Sequence, residues 1–126
     1  MMKKAEGLQI ARESLLLRNL PDAVTDRILA DASLHRFARG ETIFLQDEEA
    51  RAIHVVIGGW VKLYRVAPSG NEAVVNTFAR GSSFGEAVAF RLQPYPVSAE
   101  AVTDCTLLQI PARSRIATPR QEPDLA

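Results

Sequence analysis

The sequence predicts a mainly β protein, a double-stranded β-helix (jelly roll) with short flanking helices. From Leu34 onward, short apolar segments alternate with turn signals at intervals of about eight to twelve residues. Val, Ile, Thr and aromatic residues, which favour strands, are frequent in these segments. They are Thr42–Leu45, Ile53–Ile57, Trp60–Val66, Ala73–Phe78, Ser98–Val102 and Thr106–Ile110. Short strands separated by Gly- and Pro-containing turns are typical of a sandwich or barrel, and a jelly roll is the usual form at this length.

The flanking helices are predicted from apolar residues that recur at three- and four-residue steps. These residues are Leu8, Ala11, Leu15 and Leu16 in the segment 6–18, and Val24, Ile28, Leu29 and Ala32 in the next segment. Pro21 and Asp22 suit the first turn of the second helix, where a missing N–H is harmless and an acid faces the positive end of the dipole. We therefore assign residues 1–33 to N-terminal helices and residues 34–111 to the roll.

The C-terminal segment, residues 112–126, is polar and rich in Pro and Arg. Pro123 followed by Asp124 is a typical helix start. We expect this segment to lead into a helix whose body lies beyond the given sequence. The alternative is a frayed natural C-terminus.

Composition excludes several classes of function. A chain of 126 residues with 47% hydrophobic and 24% charged residues forms one soluble domain with a real core. Lys+Arg and Asp+Glu number 15 each, so no electrostatic footprint for DNA or an anionic membrane is visible. The single cysteine, Cys105, forms no internal disulfide and holds no iron–sulfur cluster. With no signal peptide or apolar membrane span in the sequence, the expected location is the cytoplasm.

The stretch Gly81–Phe90, GSSFGEAVAF, has the composition of a ligand-binding turn. Its glycines allow close approach of the backbone to a ligand, and Glu86 is the one ionisable group in it. Pro94-Tyr95-Pro96 then brings the chain back, followed by Val97 and Ser98. We interpret the two pieces as opposite walls of a small-molecule pocket.

Five motifs, in order and at their spacing, resemble the sensor domain of the Crp/Fnr family of bacterial transcription regulators over about residues 15–115. They are Leu20-Pro21, Phe37-Ala38-Arg39-Gly40-Glu41-Thr42-Ile43-Phe44, Gly59-Trp60-Val61-Lys62-Leu63-Tyr64-Arg65, Phe84-Gly85-Glu86-Ala87 and Thr103-Asp104-Cys105. The resemblance implies a cyclic-nucleotide-binding-type roll. In that family the roll is followed by a dimerisation helix and a helix-turn-helix domain, neither of which is in this sequence. It also implies a homodimeric full-length protein that contacts DNA through a domain missing here.

In family members that bind cyclic AMP, the Phe-Gly-Glu turn donates backbone N–H groups to the cyclic phosphate, and the Glu accepts from the ribose hydroxyl. Gly85, Glu86 and Ala87 match these positions. A turn of exposed N–H groups forms an anion nest, and a carboxylate accepts strongly from a hydroxyl. The resemblance thus implies a ligand site at Phe84, Gly85, Glu86, Ala87, Tyr95, Pro96, Val97 and Ser98.

The second half of the family site does not match. The family pattern has Arg-Ser ten and nine residues before the cysteine at position 105, and Tyr95 and Pro96 stand there instead. A tyrosine offers one neutral donor in place of a charged fork. Losing one charge-assisted hydrogen bond costs roughly 1.5–3 kcal/mol, or about ten- to 150-fold in affinity. Conventional cyclic AMP binding is therefore disfavoured.

The Tyr-for-Arg change resembles the Dnr-type branch, regulators that respond to nitric oxide and have been linked to haem, so haem is a candidate cofactor. The Fnr branch needs four cysteines and is excluded. Either histidine, His35 or His54, is a candidate haem ligand, although a strand or core role is the ordinary interpretation. Cys105 is expected to be a buried, inert thiol.

We therefore expect a non-enzymatic domain that senses a small-molecule effector, with no membrane partner. Three alternatives stay open. The chain could be a genuine cyclic-nucleotide-binding module, a cupin-type metalloenzyme, or a degenerate roll kept for dimer contacts. Two histidines 19 positions apart lack the spacing of a cupin metal site.

Overall fold

A computed structural model describes residues 4–14, 16–85 and 93–111. It contains two helices and eight strands, which confirms the mainly β jelly-roll prediction. The helices are α1 (Lys4–Arg12) and α2 (Asp22–Leu29), and the strands are β1 (Ser33–Phe37), β2 (Thr42–Phe44), β3 (Ala52–Gly58), β4 (Val61–Val66), β5 (Glu72–Phe78), β6 (Ser83–Phe84), β7 (Ser98–Ala101) and β8 (Cys105–Pro111). No helix in these ranges is long and apolar enough to cross a bilayer.

The strands form two four-stranded antiparallel sheets, ordered β1-β8-β3-β6 and β2-β7-β4-β5. Strand β3 lies inside the first sheet and is buried on both faces, as its run of apolar residues, interrupted only by His54, predicts. Strand β5 is an edge strand, and its residues are exposed except at the Phe78 end.

Two hydrophobic clusters lie on opposite faces of the first sheet. The helix-side core joins α1 and α2 to the outer face of β3 and β8, through residues such as Ile28, Val55 and Leu108. The roll core lies between the two sheets and includes Val56, Val61 and Leu107. Strand alternation explains the division, because successive side chains of β3 point to opposite faces.

Helix α1 is shorter than the predicted segment 6–18. The chain turns at Ser14, whose Oγ donates to the carbonyl of Ala11 at 2.6 Å. A serine that bonds a neighbouring backbone group competes with the helical pattern. Helix α2 begins as expected, with Pro21 at its N-cap position and Asp22 in its first turn. The predicted C-terminal helix start at 112–126 lies outside the described residues.

Candidate ligand-binding site

The ligand-binding turn begins at the end of β6, where Phe84 pairs with His54 of β3. Gly85 follows with φ +91°, a conformation that favours glycine. A β-carbon at Gly85 would lie 3.3 Å from the Ala52 carbonyl oxygen and 3.7 Å from Cε1 of Tyr95. The missing side chain therefore allows β6 to approach β3 and Tyr95 closely. Glu86 and Ala87, which complete the predicted turn, lie outside the described residues.

The opposite wall is held in place by backbone bonds to the loop after β2. Pro94 forms an isolated bridge with Glu49. The Tyr95 N–H donates to the Glu48 carbonyl at 2.9 Å, and the Asp47 N–H donates to the Tyr95 carbonyl at 2.8 Å. Tyr95 thus sits in a short ladder rather than in a free loop, with a proline on each side.

The Tyr95 side chain points into the roll core and is only 5% exposed. Its ring stacks on Phe44, with 3.6 Å between centroids and 5° between planes. The rings of His54 and Phe84 stack beside them at 4.9 Å. We call these four side chains, Phe44, His54, Phe84 and Tyr95, the aromatic cluster.

Hydrogen bonds fix the tautomer of His54. The Tyr95 hydroxyl donates to the carbonyl of Ala52 at 3.2 Å, and the Nε2 atom of His54 lies 3.1 Å from the same hydroxyl oxygen. A phenol has one proton to donate and the Ala52 carbonyl can only accept, so both contacts are hydrogen bonds when Nε2 carries the hydrogen of the imidazole and donates to Tyr95, and we assign this tautomer. Nδ1 of His54 is then an unprotonated acceptor, and it has no hydrogen-bond partner among the described residues.

Burial keeps the aromatic cluster uncharged. His54 is 3% exposed, and burial, with a smaller effect from His35, lowers its pKa to about 3. Burial likewise raises the pKa of Tyr95, partly offset by the hydrogen bond to Ala52. At neutral pH the position where the resemblance implies an arginine therefore carries no charge, and neither does its partner.

The remaining predicted site residues are divided between core and surface. Val97 and Ser98 are buried, and the Ser98 hydroxyl accepts from the backbone N–H of Gln46 at 2.8 Å, so it serves the fold. Pro96 is exposed, and its carbonyl lies 3.5 Å from the Nε of Arg65. Phe84, Gly85 and Tyr95 are brought together, whereas Pro96 and Val97 lead from Tyr95 into β7, which begins at Ser98.

Sequence reasoning missed Phe44 as a site residue, and it named His54 only as a candidate haem ligand. The only signal for His54 was a polar residue inside the apolar run of β3, and this pattern did not reveal which residue it would bond.

Cys105 is buried, as predicted. Its Sγ lies 3.0 Å from the Trp60 carbonyl oxygen, and burial raises the pKa of its thiol. His35 is exposed and lies 2.8 Å from the Ser33 hydroxyl. Within the described ranges, no three metal-binding side chains are grouped.

The fold and the turn that meets β3 define the class of protein. Residues 34–116 match the family described as "Cyclic nucleotide-binding domain", and the chain belongs to this family. The match confirms the resemblance inferred from the five motifs.

Among individual relatives, a candidate cyclic nucleotide binding protein from Ruegeria pomeroyi DSS-3 has a solved structure that is similar at a TM-score of 0.88, with 53% identity. The match covers 98% of this chain and 54% of that one. The sensor domain of the transcriptional regulator DNR from Pseudomonas aeruginosa is similar at a TM-score of 0.80, with 27% identity, covering 97% of this chain and 81% of that one.

Among curated proteins, the chain is 34% identical over 68 residues to the CRP-like cAMP-activated global transcriptional regulator of Mycobacterium tuberculosis. This match covers 54% of the chain and 30% of the regulator. The chain thus spans about a third of the length of that relative. These relatives place the chain among the cyclic nucleotide-binding domains of Crp/Fnr-like transcription regulators.

Proposed function

We propose that this chain is the effector-sensing domain of a bacterial Crp/Fnr-type transcription regulator, and that its effector is not held by a conventional cyclic AMP phosphate clamp. The effector would bind between Phe84–Ala87 and Tyr95–Ser98. DNA recognition would belong to a part of the protein outside residues 1–126. The zero net charge of the sequence and the greater length of its regulatory relatives support this division.

The observation that carries the proposal is the state of Tyr95. Its side chain is buried, stacked on Phe44 and bonded to Ala52. It therefore supplies no cation to a ligand and fills space inside the roll core. A phosphodiester bound beside it would lose a charge-assisted hydrogen bond, at a cost of roughly 1.5–3 kcal/mol. Leaving the phosphate unpaired in a partly buried site would add to that cost.

The consequence of effector binding would be a shift in a conformational equilibrium. A ligand biases a protein only through its different affinity for two states. The wall at Tyr95 is tied by its backbone to the loop after β2, so displacement of Tyr95 would move that loop as well. We propose that such a movement reaches the dimer contacts of the full-length protein. The helix expected after Glu122, which would receive it, falls outside the described residues.

A thermal shift series tests the proposal. The 126-residue protein is melted with cyclic AMP, cyclic GMP or haem, and a ligand of the folded state must raise the melting temperature by mass action. Micromolar cyclic AMP and cyclic GMP are expected to leave the melting temperature unchanged, and haem tests the likeness to the Dnr-type branch. A shift of several degrees with cyclic AMP that is lost in Glu86→Ala would contradict the proposal.

A gel-shift assay tests the other half of the proposal, the division between sensing and DNA recognition. The 126-residue protein is expected to show no sequence-specific DNA binding. Specific retardation of an operator fragment by this chain alone would show that DNA recognition lies within it.

One observation favours a second candidate, a genuine cyclic-nucleotide-binding module. Arg65 lies on the same face of β4 as Leu63, which packs against the roll core. Its Nε reaches the carbonyl of Pro96, at the edge of the proposed site. If Arg65 replaced the missing phosphate-clamping arginine, Arg65→Gln would abolish cyclic AMP binding.

The cupin-type alternative predicts stoichiometric iron, zinc or manganese, which elemental analysis of protein purified without chelators would detect.

A further inference from the structure

A row of paired residues crosses the first sheet and leads to the aromatic cluster. Ser33 of β1 pairs with Gln109 of β8, Gln109 pairs with His54 of β3, and His54 pairs with Phe84 of β6. Directly paired residues point to the same face of a sheet, and His54 and Phe84 contact the roll interior. Along the row the side chains pass from exposed Ser33 through partly buried Gln109 to buried His54. The row therefore extends from an exposed residue at the sheet edge to the buried imidazole.

The geometry of the His54 ring shows which edge meets this row. Cδ2 would lie 3.5 Å from a β-carbon at Gly85, on the β6 side. Nε2 lies beside the Tyr95 hydroxyl, which is itself bonded to Ala52. Nδ1 is on the edge of the ring opposite Cδ2, and Gln109 of β8 is the residue that pairs with His54 across the strands.

The orphan acceptor at Nδ1 is unusual, because buried polar groups are nearly always hydrogen-bonded. The tautomer set by Tyr95 leaves a lone pair on Nδ1 and no hydrogen. Among the described residues, no donor group pairs with Nδ1. A ligand with a donor group would complete this site.

We infer that Nδ1 of His54 is the recognition point for a small uncharged effector that carries an N–H or O–H donor and an aromatic or apolar body. The inference rests on the proposed effector-sensing function and names the chemical class of the effector. The lone pair selects a donor and repels an anion. The rings of Phe44 and Phe84 provide apolar walls.

The electrostatics of the row agree with an uncharged ligand. None of the four side chains in the aromatic cluster is cationic, and the lowered pKa of His54 keeps its imidazole neutral at physiological pH. His35, the second residue after Ser33 on β1, is exposed and lies near the outer end of the row with its Nε2 beside the Ser33 hydroxyl. An ion brought to His54 would thus lose its hydration without gaining an opposite charge.

The experiment compares three one-ring probes on the 126-residue protein: phenol, anisole and benzoate. Phenol has a donor, anisole has a similar ring without one, and benzoate is an anion. With ¹⁵N-labelled histidine, NMR reports the Nδ1 and Nε2 signals of His54 separately. Phenol is expected to move the Nδ1 signal and to bind roughly ten-fold more tightly than anisole, as one hydrogen bond to a buried acceptor allows. Benzoate is expected not to bind.

A matched pair of variants checks the assignment. His54→Phe keeps a ring beside Phe84 but has no acceptor, so phenol and anisole should bind it equally. His35→Gln changes the exposed histidine and should keep the preference for phenol. Should His54→Phe fail to fold, the Nδ1 signal of the unaltered protein decides the question by itself.

The outcomes separate this inference from the proposed function. Equal binding of phenol and anisole with an unmoved Nδ1 signal would overturn the inference and leave effector sensing intact. A response to haem without any response to phenol would do the same, whereas a response to cyclic AMP without any response to phenol would overturn the inference and also the proposed absence of a cyclic AMP clamp. If no probe, nucleotide or haem produces a response, both the inference and the sensing function are wrong.

Discussion

Acid should destabilise this protein through His54 before most carboxylates titrate. The folded-state pKa of His54 is lowered from 6.5 to about 3, mainly because the ring is buried. Above pH 6.5 the imidazole is neutral in both the folded and the unfolded chain, and it makes no pH-dependent contribution. Below pH 6.5 the unfolded chain binds a proton that the folded protein does not, so stability falls as the pH falls. The loss ends near the folded-state pKa.

The size of the stability loss follows from the difference between the folded-state and unfolded-state pKa of His54. Each pH unit between the two pKa values is worth about 1.4 kcal/mol of unfolding free energy. Between pH 7 and pH 5, which is about 1.5 units below the unfolded-state pKa, the loss is about 2 kcal/mol. This is a large part of the 5–15 kcal/mol by which typical domains are stable.

Urea unfolding at pH 7, 6 and 5, followed by circular dichroism, measures this loss. His54→Phe removes the titrating group and should show a correspondingly weaker dependence on pH over this range. His35→Gln removes an exposed imidazole that makes the smaller contribution to the lowered pKa of His54, so this variant should retain most of the wild-type dependence. The reasoning would be refuted if His54→Phe and the unaltered protein lost equal stability, since the proton would then be taken up elsewhere.

Three further substitutions or labels test the geometry of the site. Gly85→Ala should destabilise the fold by roughly 1 kcal/mol more than Gly81→Ala. Both glycines have positive φ, but only at Gly85 would the new β-carbon lie 3.3 Å from a backbone oxygen. Equal losses of stability in urea unfolding would contradict this. Tyr95→Phe leaves buried groups without their hydroxyl partner and should lower the unfolding free energy by about 1–3 kcal/mol. The matched control, Tyr64→Phe, removes a hydroxyl that bonds no described residue and should lower it by less than about 0.5 kcal/mol. Cys105 is 4% exposed and its thiol pKa is raised, so iodoacetamide should label it only in denaturant; rapid labelling of the native protein would show that the strand opens.

The fold was largely predictable because its signals are local. Six of the eight strands coincide with apolar segments between turn signals. Strand β1 was not predicted, since its sequence SLHRF is mostly polar and it lies at the exposed edge of its sheet. Strand β6 was not predicted either, because two residues are too short a pattern to recognise. Both depend on pairing with β8 or β3, which is a tertiary property.

The candidate site was only half predictable. The count back from Cys105 located Tyr95 and revealed the missing arginine. The partners of Tyr95 were not visible, since His54 is 41 positions away along the chain and meets it only through the packing of the roll. The stacking on Phe44 depends in the same way on the loop ladder at Glu48. Such contacts are fixed by sheet register and loop path, which a single sequence does not encode in any local pattern.

The bonds of Tyr95 also bear on how the site could have lost a cation without losing stability. An arginine at position 95 in the same orientation would bury a charge beside a histidine that carries no opposite charge. It would also give up the stacking on Phe44 and the hydroxyl bridge to the Ala52 carbonyl. A buried charge without an opposite partner is costly, so a clamping arginine would have to leave the roll core and face a ligand. The side chains at 54 and 95 are therefore coupled, and a neutral effector is compatible with both as they stand.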